Sequence, residues 1–346
     1  MSQSSEADRL AALLDARGTK GVRAVKPPKS STRKSKREAE QRADQAEPVT
    51  DLDAELGQAG NLAAESLREQ HGAANWQTEL RSPDGRVGVQ LASGKQVFEE
   101  RLSTDELRDF AERITVFKDD TLWIANKPAG LLSVPGRVLK DSLLNRLYAV
   151  DDRVKLVHRL DMDTSGIMVF ALSAAAQTHV SKQFIERTTE KRYEALLGGH
   201  LELEIGAQQQ IDIPVRYDPP NKPRHITDPE FKKQALTNLW LIAHENLSLD
   251  SNITASSDSA LKILEQSDPT PTSIPVSRVT LEPVTGRSHQ LRVHALHVGH
   301  AMVGDPIYAA GEFRSALPNL ALFSKSLTLT HPLSGEELSF SAPVPF

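Results

Sequence analysis

Val157-His-Arg-Leu-Asp161-Met-Asp-Thr-Ser-Gly166 runs straight into Ile167-Met-Val-Phe-Ala-Leu172, and this junction decides the fold. The second half is apolar and rich in β-formers, so it reads as a buried strand, while the Asp/Thr/Ser/Gly half reads as a turn. Working outward, Ser173–Thr188 predicts a helix, and Arg192–Leu197 predicts the next strand. Further strands are predicted at 209–215, 236–243, 277–283, 320–329 and 336–341. Upstream, Thr121–Asn126 reads as a strand that Lys127-Pro-Ala-Gly130 breaks. Ser288 is predicted to cap a helix running to about Val298, its hydroxyl accepting from free amides of the first turn. Many strands and few helices, without regular alternation, predict an α+β fold: a mixed, largely antiparallel sheet with flanking helices.

Composition narrows the function classes. The chain has 346 residues, no cysteine, 39% apolar and 25% charged residues, and a net charge of −5. Without cysteine there is no disulfide framework, thiol nucleophile, iron–sulfur cluster or Cys-based zinc site. Gly166–Ala176, the longest mostly apolar run, falls well short of the roughly 20 residues of a membrane helix. The start, MSQSSEADRL, lacks an apolar stretch behind a basic head, so a cytoplasmic protein is expected, or a nuclear or organellar one in a eukaryotic host. Residues 1–113 read as a mostly disordered, charged extension, with local helices at Glu6–Ala16 and Lys36–Ala46. Arg17–Arg37 carries nine Lys/Arg and no acid, which fits a solvated tail or an RNA tether. Residues 114–346 form the expected packed domain, with a Ser/Thr/Pro-rich insertion at about 246–275. Net charge misleads here. Residues 113–346 hold 24 Lys/Arg and 26 Asp/Glu, close to neutral, while the cations cluster beside particular motifs.

Three kinds of chemistry compete for those motifs. His289, His294, His297 and His300 suggest a metal, but steps of three on a helix fan the last three apart, and no HExxH or carboxylate cluster accompanies them. Ser165 in Asp163-Thr-Ser-Gly lacks the GxSxG elbow of a hydrolase nucleophile and reads as a turn former. The third constellation sets Asp161 between basic residues, Arg287 and Arg292 at the start of a helix, and Tyr193 on a cation-flanked strand. That pattern suits a carboxylate held ionised by arginine, beside a ring able to stack on a planar substrate. Asp161 as a turn former, Arg292 as a surface cation and Tyr193 as a core residue remain open on the residues alone.

Four separated motifs, in order, resemble the RluA-type pseudouridine synthases: Asn126-Lys-Pro-Ala-Gly-Leu-Leu-Ser-Val-Pro-Gly-Arg137, His158–Gly166, Lys191-Arg-Tyr-Glu-Ala195, and Gly286-Arg-Ser-His-Gln-Leu-Arg-Val-His294 followed by Gly304-Asp-Pro-Ile-Tyr308. Asp218-Pro-Pro-Asn-Lys-Pro-Arg224 is similar to the branch that modifies ribosomal and transfer RNA. Leu320-Ala-Leu-Phe323 departs from the family's Leu-His-Ala. The resemblance implies the pseudouridine synthase fold with a central catalytic cleft, Asp161 as catalytic aspartate, Tyr193 stacking on the uracil and assisting proton removal from C5, and Arg292 paired with Asp161. It implies that Arg159 enters the RNA helix where the uridine has flipped out. His158, Lys127, Arg137, Lys191, Arg192, Arg287, His289 and Gln290 are the further RNA-binding candidates. It implies an RNA partner, a monomer, and no metal, cofactor or membrane. A non-catalytic RNA-binding or RNA-folding protein on the same fold is the alternative, disfavoured by the intact Asp161, Tyr193 and Arg292.

Overall fold

The run from Gly166 to Leu172 is apolar without alternation because both of its faces are covered. In the computed structural model, which describes residues 78–90, 96–249 and 272–346, this run is strand β7 (Ser165–Ala171), buried at every position. Met168 and Phe170 join one hydrophobic cluster with Trp123 and Ala125, whereas Ile167 and Val169 join a second with Leu122 and Ile124. A strand covered on both faces loses the polar alternation of a half-exposed one. Each large side chain so buried contributes about 1.5–3 kcal/mol.

In chain order the elements are β1 (Thr78–Arg81), β2 (Val87–Gln90), β3 (Gln96–Phe98), α1 (Thr104–Ile114), β4 (Thr115–Lys118), β5 (Leu122–Lys127), α2 (Leu143–Val150), β6 (Lys155–Leu156) and β7. They continue as α3 (Ala174–Glu186), β8 (Glu190–Gly198), β9 (Gln208–Asp212), β10 (Val215–Tyr217), β11 (His225–Thr227), β12 (Leu236–Ser248) and β13 (Ser273–Pro283). Then come α4 (Gln290–His297), α5 (Gly311–Ser315), β14 (Leu322–Thr330) and β15 (Glu337–Ser341). The main sheet runs β4-β5-β7-β14-β8-β13-β12-β9, with β6 also on β7 and β15 also on β14. Among its pairings only β7–β14 is parallel; the α+β, largely antiparallel expectation stands.

One register row explains the site. Gly166 of β7 lies opposite Ser324 of β14, Ser324 opposite Tyr193 of β8, and Tyr193 opposite Leu281 of β13. The Asp161 turn that feeds β7 and the Tyr193 strand are therefore two strands apart at one level. Gly166 makes the close approach possible: it sits at φ 111°, and a Cβ there would clash with the Ser324 backbone.

Several expectations are corrected. Ordered structure begins well before residue 114: β1–β3 form an antiparallel sheet, and α1 starts with a capping box in which Ser103 and Glu106 satisfy each other's backbone amides. Phe110 and Ala111 of α1 join the main core, and the described residues belong to one compact unit. Glu100 reaches the buried Arg146 of α2 at 2.8 Å, beside Asp141 at 2.6 Å. The inserted segment is narrower than expected, because β12 runs to Ser248 and β13 starts at Ser273. The span 209–215 splits between β9, on the main sheet, and β10, which pairs only with β11. Ser165 is the buried first residue of β7, not a turn residue. Ser288 makes no cap: the N-cap of α4 is His289, with φ 55° and no side-chain cap bond. The helices expected at Glu6–Ala16 and Lys36–Ala46, the basic run Arg17–Arg37 and the helical turn expected at Ala260–Glu265 lie outside the described residues.

Candidate active site

Asp161 sits in the loop between β6 and β7, with its side chain 24% exposed. Backbone bonds shape this loop. The Asp161 carbonyl accepts from Thr164 N–H at 3.2 Å, and the Met162 carbonyl accepts from Gly130 N–H at 2.9 Å. Ser133 donates to the Leu160 carbonyl at 2.6 Å and accepts from Leu160 N–H at 3.1 Å. Lys127 completes the frame. Fully buried, its ammonium donates to the carbonyls of Pro128, Met162 and Thr164 at 2.9, 2.9 and 2.8 Å.

The positive side of the site comes from α4. Arg292, 2% exposed and expected to pair with Asp161, also holds Asp305 in its guanidinium fork, Nε to Oδ2 at 2.8 Å and Nη2 to Oδ1 at 2.7 Å. Its remaining Nη1 faces Asp161 Oδ2 at 3.7 Å. Asp305, also fully buried, further accepts from the N–H groups of Ile307 and Tyr308. A buried arginine needs a counter-charge of this kind. Burial works against its charge, and the bonds and charge of Asp305, with Asp161 behind, outweigh it and hold Arg292 above its usual range. Burial likewise opposes ionisation of Asp161, yet His289, Arg292, Arg159 and His225 more than offset it and keep the carboxyl below its ordinary range. His289 is itself pushed down by burial to about 4. At neutral pH the fixed positive charge facing Asp161 is therefore that of the arginines. Burial first, then the charge of Asp161, pushes Tyr193 up to about 12, which holds it as a neutral phenol.

The expected residues divide. Asp161, Arg292, His289 and Tyr193 come together, with exposed Arg159 two residues before Asp161. Lys127 and Gln290, expected to touch RNA, are buried among protein partners. Lys127 is enclosed by its three carbonyls. Gln290, 3% exposed, spends its amide on Thr285, Arg287 N–H, the Leu236 carbonyl and Thr237. His158 is also turned inward: its Nε2 accepts from Val169 N–H at 3.1 Å and its ring stacks on Phe184 at 4.6 Å. Lys191 shares the Tyr193 face of β8 and lies over the Phe184 ring. Arg192 falls on the opposite face, with Glu194, away from the Tyr193 face. Arg137 and Arg287 are exposed in loops, the latter also donating to the Gln234 carbonyl at 3.1 Å. His294 bonds Thr237 and the Ile213 carbonyl, and His300 the Gly198 carbonyl. No group of three His, Asp or Glu among the described residues is arranged to hold a metal.

Sequence reasoning missed Asp305, Tyr308, His225 and Arg224 as parts of this site. Tyr308 accepts from His225 N–H at 2.8 Å, and Arg224 and Arg292 both lie over its ring, at 5.2 and 5.1 Å. The signal was present in Gly304-Asp-Pro-Ile-Tyr308 and Lys222-Pro-Arg224-His225, but nothing in those stretches says which cation each partner meets.

The family model for RNA pseudouridylate synthase matches residues 121–297. The dual-specificity RNA pseudouridine synthase RluA of Escherichia coli (strain K12) is 38% identical over 235 residues, which cover 67% of this chain and 94% of that protein. RluA of Haemophilus influenzae is 38% identical over 233 residues, covering 67% and 93%. Among solved structures, human RNA pseudouridylate synthase domain containing 1 aligns with a TM-score of 0.53 at 26% identity, covering 72% of this chain and 87% of that one. These matches span the segments that bring Asp161, Tyr193 and Arg292 to one place, and the chain belongs to the RNA pseudouridylate synthase family as an RluA-type enzyme.

Proposed function

We propose that the enzyme isomerises specific uridines in ribosomal RNA, transfer RNA or both, with Asp161 as the catalytic carboxylate. The observation that carries this is an ionised, partly exposed aspartate facing an arginine that Asp305 locks in place. The reaction breaks N1–C1′ and forms C5–C1′. The proton lost from C5 is balanced by one gained at N1, so no redox cofactor or metal is required. The glycosidic bond is out of reach in a stacked helix, so the nucleotide must flip out. Exposed Arg159 stands beside the carboxylate, where it can fill the gap the uridine leaves. Arg137, Lys191 and Arg287 supply phosphate contacts around the cleft.

Tyr193 packs against the uracil. As a neutral phenol it is a poor ground-state base, so any part it takes in C5 deprotonation requires passing its own proton on. Asp161 is the group that faces the sugar during glycosidic cleavage, where an ionised carboxylate stabilises charge developing at C1′. All these side chains come from one chain, which supports action as a monomer. An RNA substrate supports a cytoplasmic site of action, and no helix among the described residues is long and apolar enough to cross a membrane.

The test is Asp161→Asn assayed by tritium release from RNA labelled at uridine C5. Activity falls below detection while RNA affinity stays within a few-fold. Wild-type turnover in that variant overturns the assignment. Mapping pseudouridines in cells lacking the protein identifies the target nucleotide.

A further inference from the structure

His289 is one of two non-glycine residues with positive φ among the described residues, at φ 55°. It stands at the very start of α4, where an ordinary cap would place a Ser, Thr, Asp or Asn in extended backbone. Such an outlier persists only where its surroundings hold it, and it points from strain toward function. Here the left-handed turn aims the imidazole into the site. Nε2 lies 3.9 Å from Asp161 Oδ2, and Nδ1 lies 2.7 Å from the Tyr308 hydroxyl.

The hydroxyl settles the tautomer. Tyr308 oxygen already accepts from His225 N–H at 2.8 Å. Its own hydrogen needs an acceptor, because the residue is only 6% exposed. The acceptor within reach among the described residues is His289 Nδ1. Nδ1 therefore carries no proton, and the proton of the neutral ring sits on Nε2, facing Asp161. Edge-on packing of the His289 ring against Tyr308 at 5.6 Å, and His225 at 4.7 Å on another side, hold this orientation.

The geometry points to Tyr308 and His289 as a positioning pair: Tyr308 fixes the His289 tautomer, and the His289 Nε2–H holds the Asp161 carboxylate as the site closes on the flipped nucleotide. The inference rests on the reading of Asp161 as the catalytic carboxylate. Catalytic hydrogen bonds are often long in the empty site and shorten in the complex, which suits a gap of 3.9 Å. No proton is transferred along the chain. His225 N–H donates to Tyr308, Tyr308 O–H to Nδ1, and Nε2–H to the carboxylate, so Asp161 gains a neutral donor beside the charged Arg292. Burial favours this state by keeping the ring neutral at working pH. The other ionisable groups around His289 are Arg292 on α4, Asp161 on its loop, His225 on β11, and Asp305 and Tyr308 on the turn after α4.

Full-length variants assayed by tritium release between pH 5 and 9 test it. Tyr308→Phe is expected to lower kcat about ten-fold or more, with KM for RNA changed less than three-fold. The acid limb of kcat moves to higher pH, because Asp161 loses a donor to its charged form. His289→Asn tolerates the left-handed backbone, but its amide stops short of the Nε2 position, so kcat falls similarly. His289→Gln restores a non-titrating donor near Nε2 and recovers most of kcat. Wild-type kcat and pH profile in Tyr308→Phe overturn the inference. So do equal losses in the Asn and Gln variants with unchanged melting temperature, which would indicate packing alone. Asp161→Asn in the same series separates the two readings: if it stays active, the reading of the site fails, whereas if it is dead and His289→Asn is normal, only the pair fails.

Discussion

Two regions meet at Asp161, and they satisfy their buried polar groups in different ways. On the side of β5 and β7 the partners are backbone atoms: Lys127 holds three carbonyls, Ser133 holds both backbone groups of Leu160, and His158 takes the Val169 amide. On the side of α4 the central partners are side chains: Arg292 holds Asp305 as a fixed charge, and His289, whose ring can change tautomer, holds Tyr308. The first region fixes where the loop goes. The second fixes which protonation state its carboxylate adopts. The two buried cations show the contrast most clearly. Burial pushes Lys127 down to about 7, with Asp163 and Asp161 opposing, whereas Asp305 carries Arg292 upward. Three carbonyls leave no room for an amine lone pair, so the ammonium form is the one that completes the Lys127 cage.

If this division is right, breaking the α4 side costs chemistry as well as stability. Asp305→Asn leaves a buried guanidinium without its counter-charge and is expected to destabilise the fold by about 3–5 kcal/mol. Its kcat should fall at least a hundred-fold as Arg292 reorients, measured by urea unfolding and tritium release together. Lys127→Met strands carbonyls that lose their donor, at about 2–3 kcal/mol. Its kcat, measured where the protein remains folded, should fall far less than in Asp305→Asn. Equal losses of turnover in the two variants break the distinction. Ser133→Ala removes both bonds to Leu160 for about 1–2 kcal/mol, with KM and kcat within a few-fold of wild type.

A separate expected effect is a pH dependence. Burial, and then the charge of Lys191, push His158 down to about 3, and His289 is held at about 4. The unfolded chain binds protons at these histidines from about 6.5 downward while the folded chain does not, so their contribution is complete above about 6.5 and is lost as pH falls toward 4. The urea midpoint is expected to drop over that range, and less steeply in His158→Gln. An unchanged slope in that variant removes His158 from the account.

The sequence made the reaction legible because its motifs keep chemistry-bearing residues close together in the chain: Asp161 with Arg159, Tyr193 with Lys191, Arg292 with Arg287. Strand β7 was legible from its apolar run, and α3 from Ser173 and the pattern after it. Helix α1 was not, although Ser103-Thr-Asp-Glu106 is a capping-box signature, because its neighbours bury few apolar groups until Phe110 meets the core. The inward contacts of Lys127, His158 and Gln290 were not legible for a common reason. A cation or amide inside a motif looks ready for RNA, and only packing reveals the bonds it already makes within the protein. Arg292 does face Asp161 as expected, but its second and shorter partner, Asp305, was not legible, since nothing in a one-dimensional chain shows that one guanidinium meets both carboxylates.

What the sequence alone determined is the family and the reaction, because motif order and residue type are properties of the chain. Tertiary structure decided charge, tautomer and partner. It did so through one register row that sets Gly166, Ser324 and Tyr193 side by side, and through the burial that leaves each polar group only the partners within about 3 Å of it.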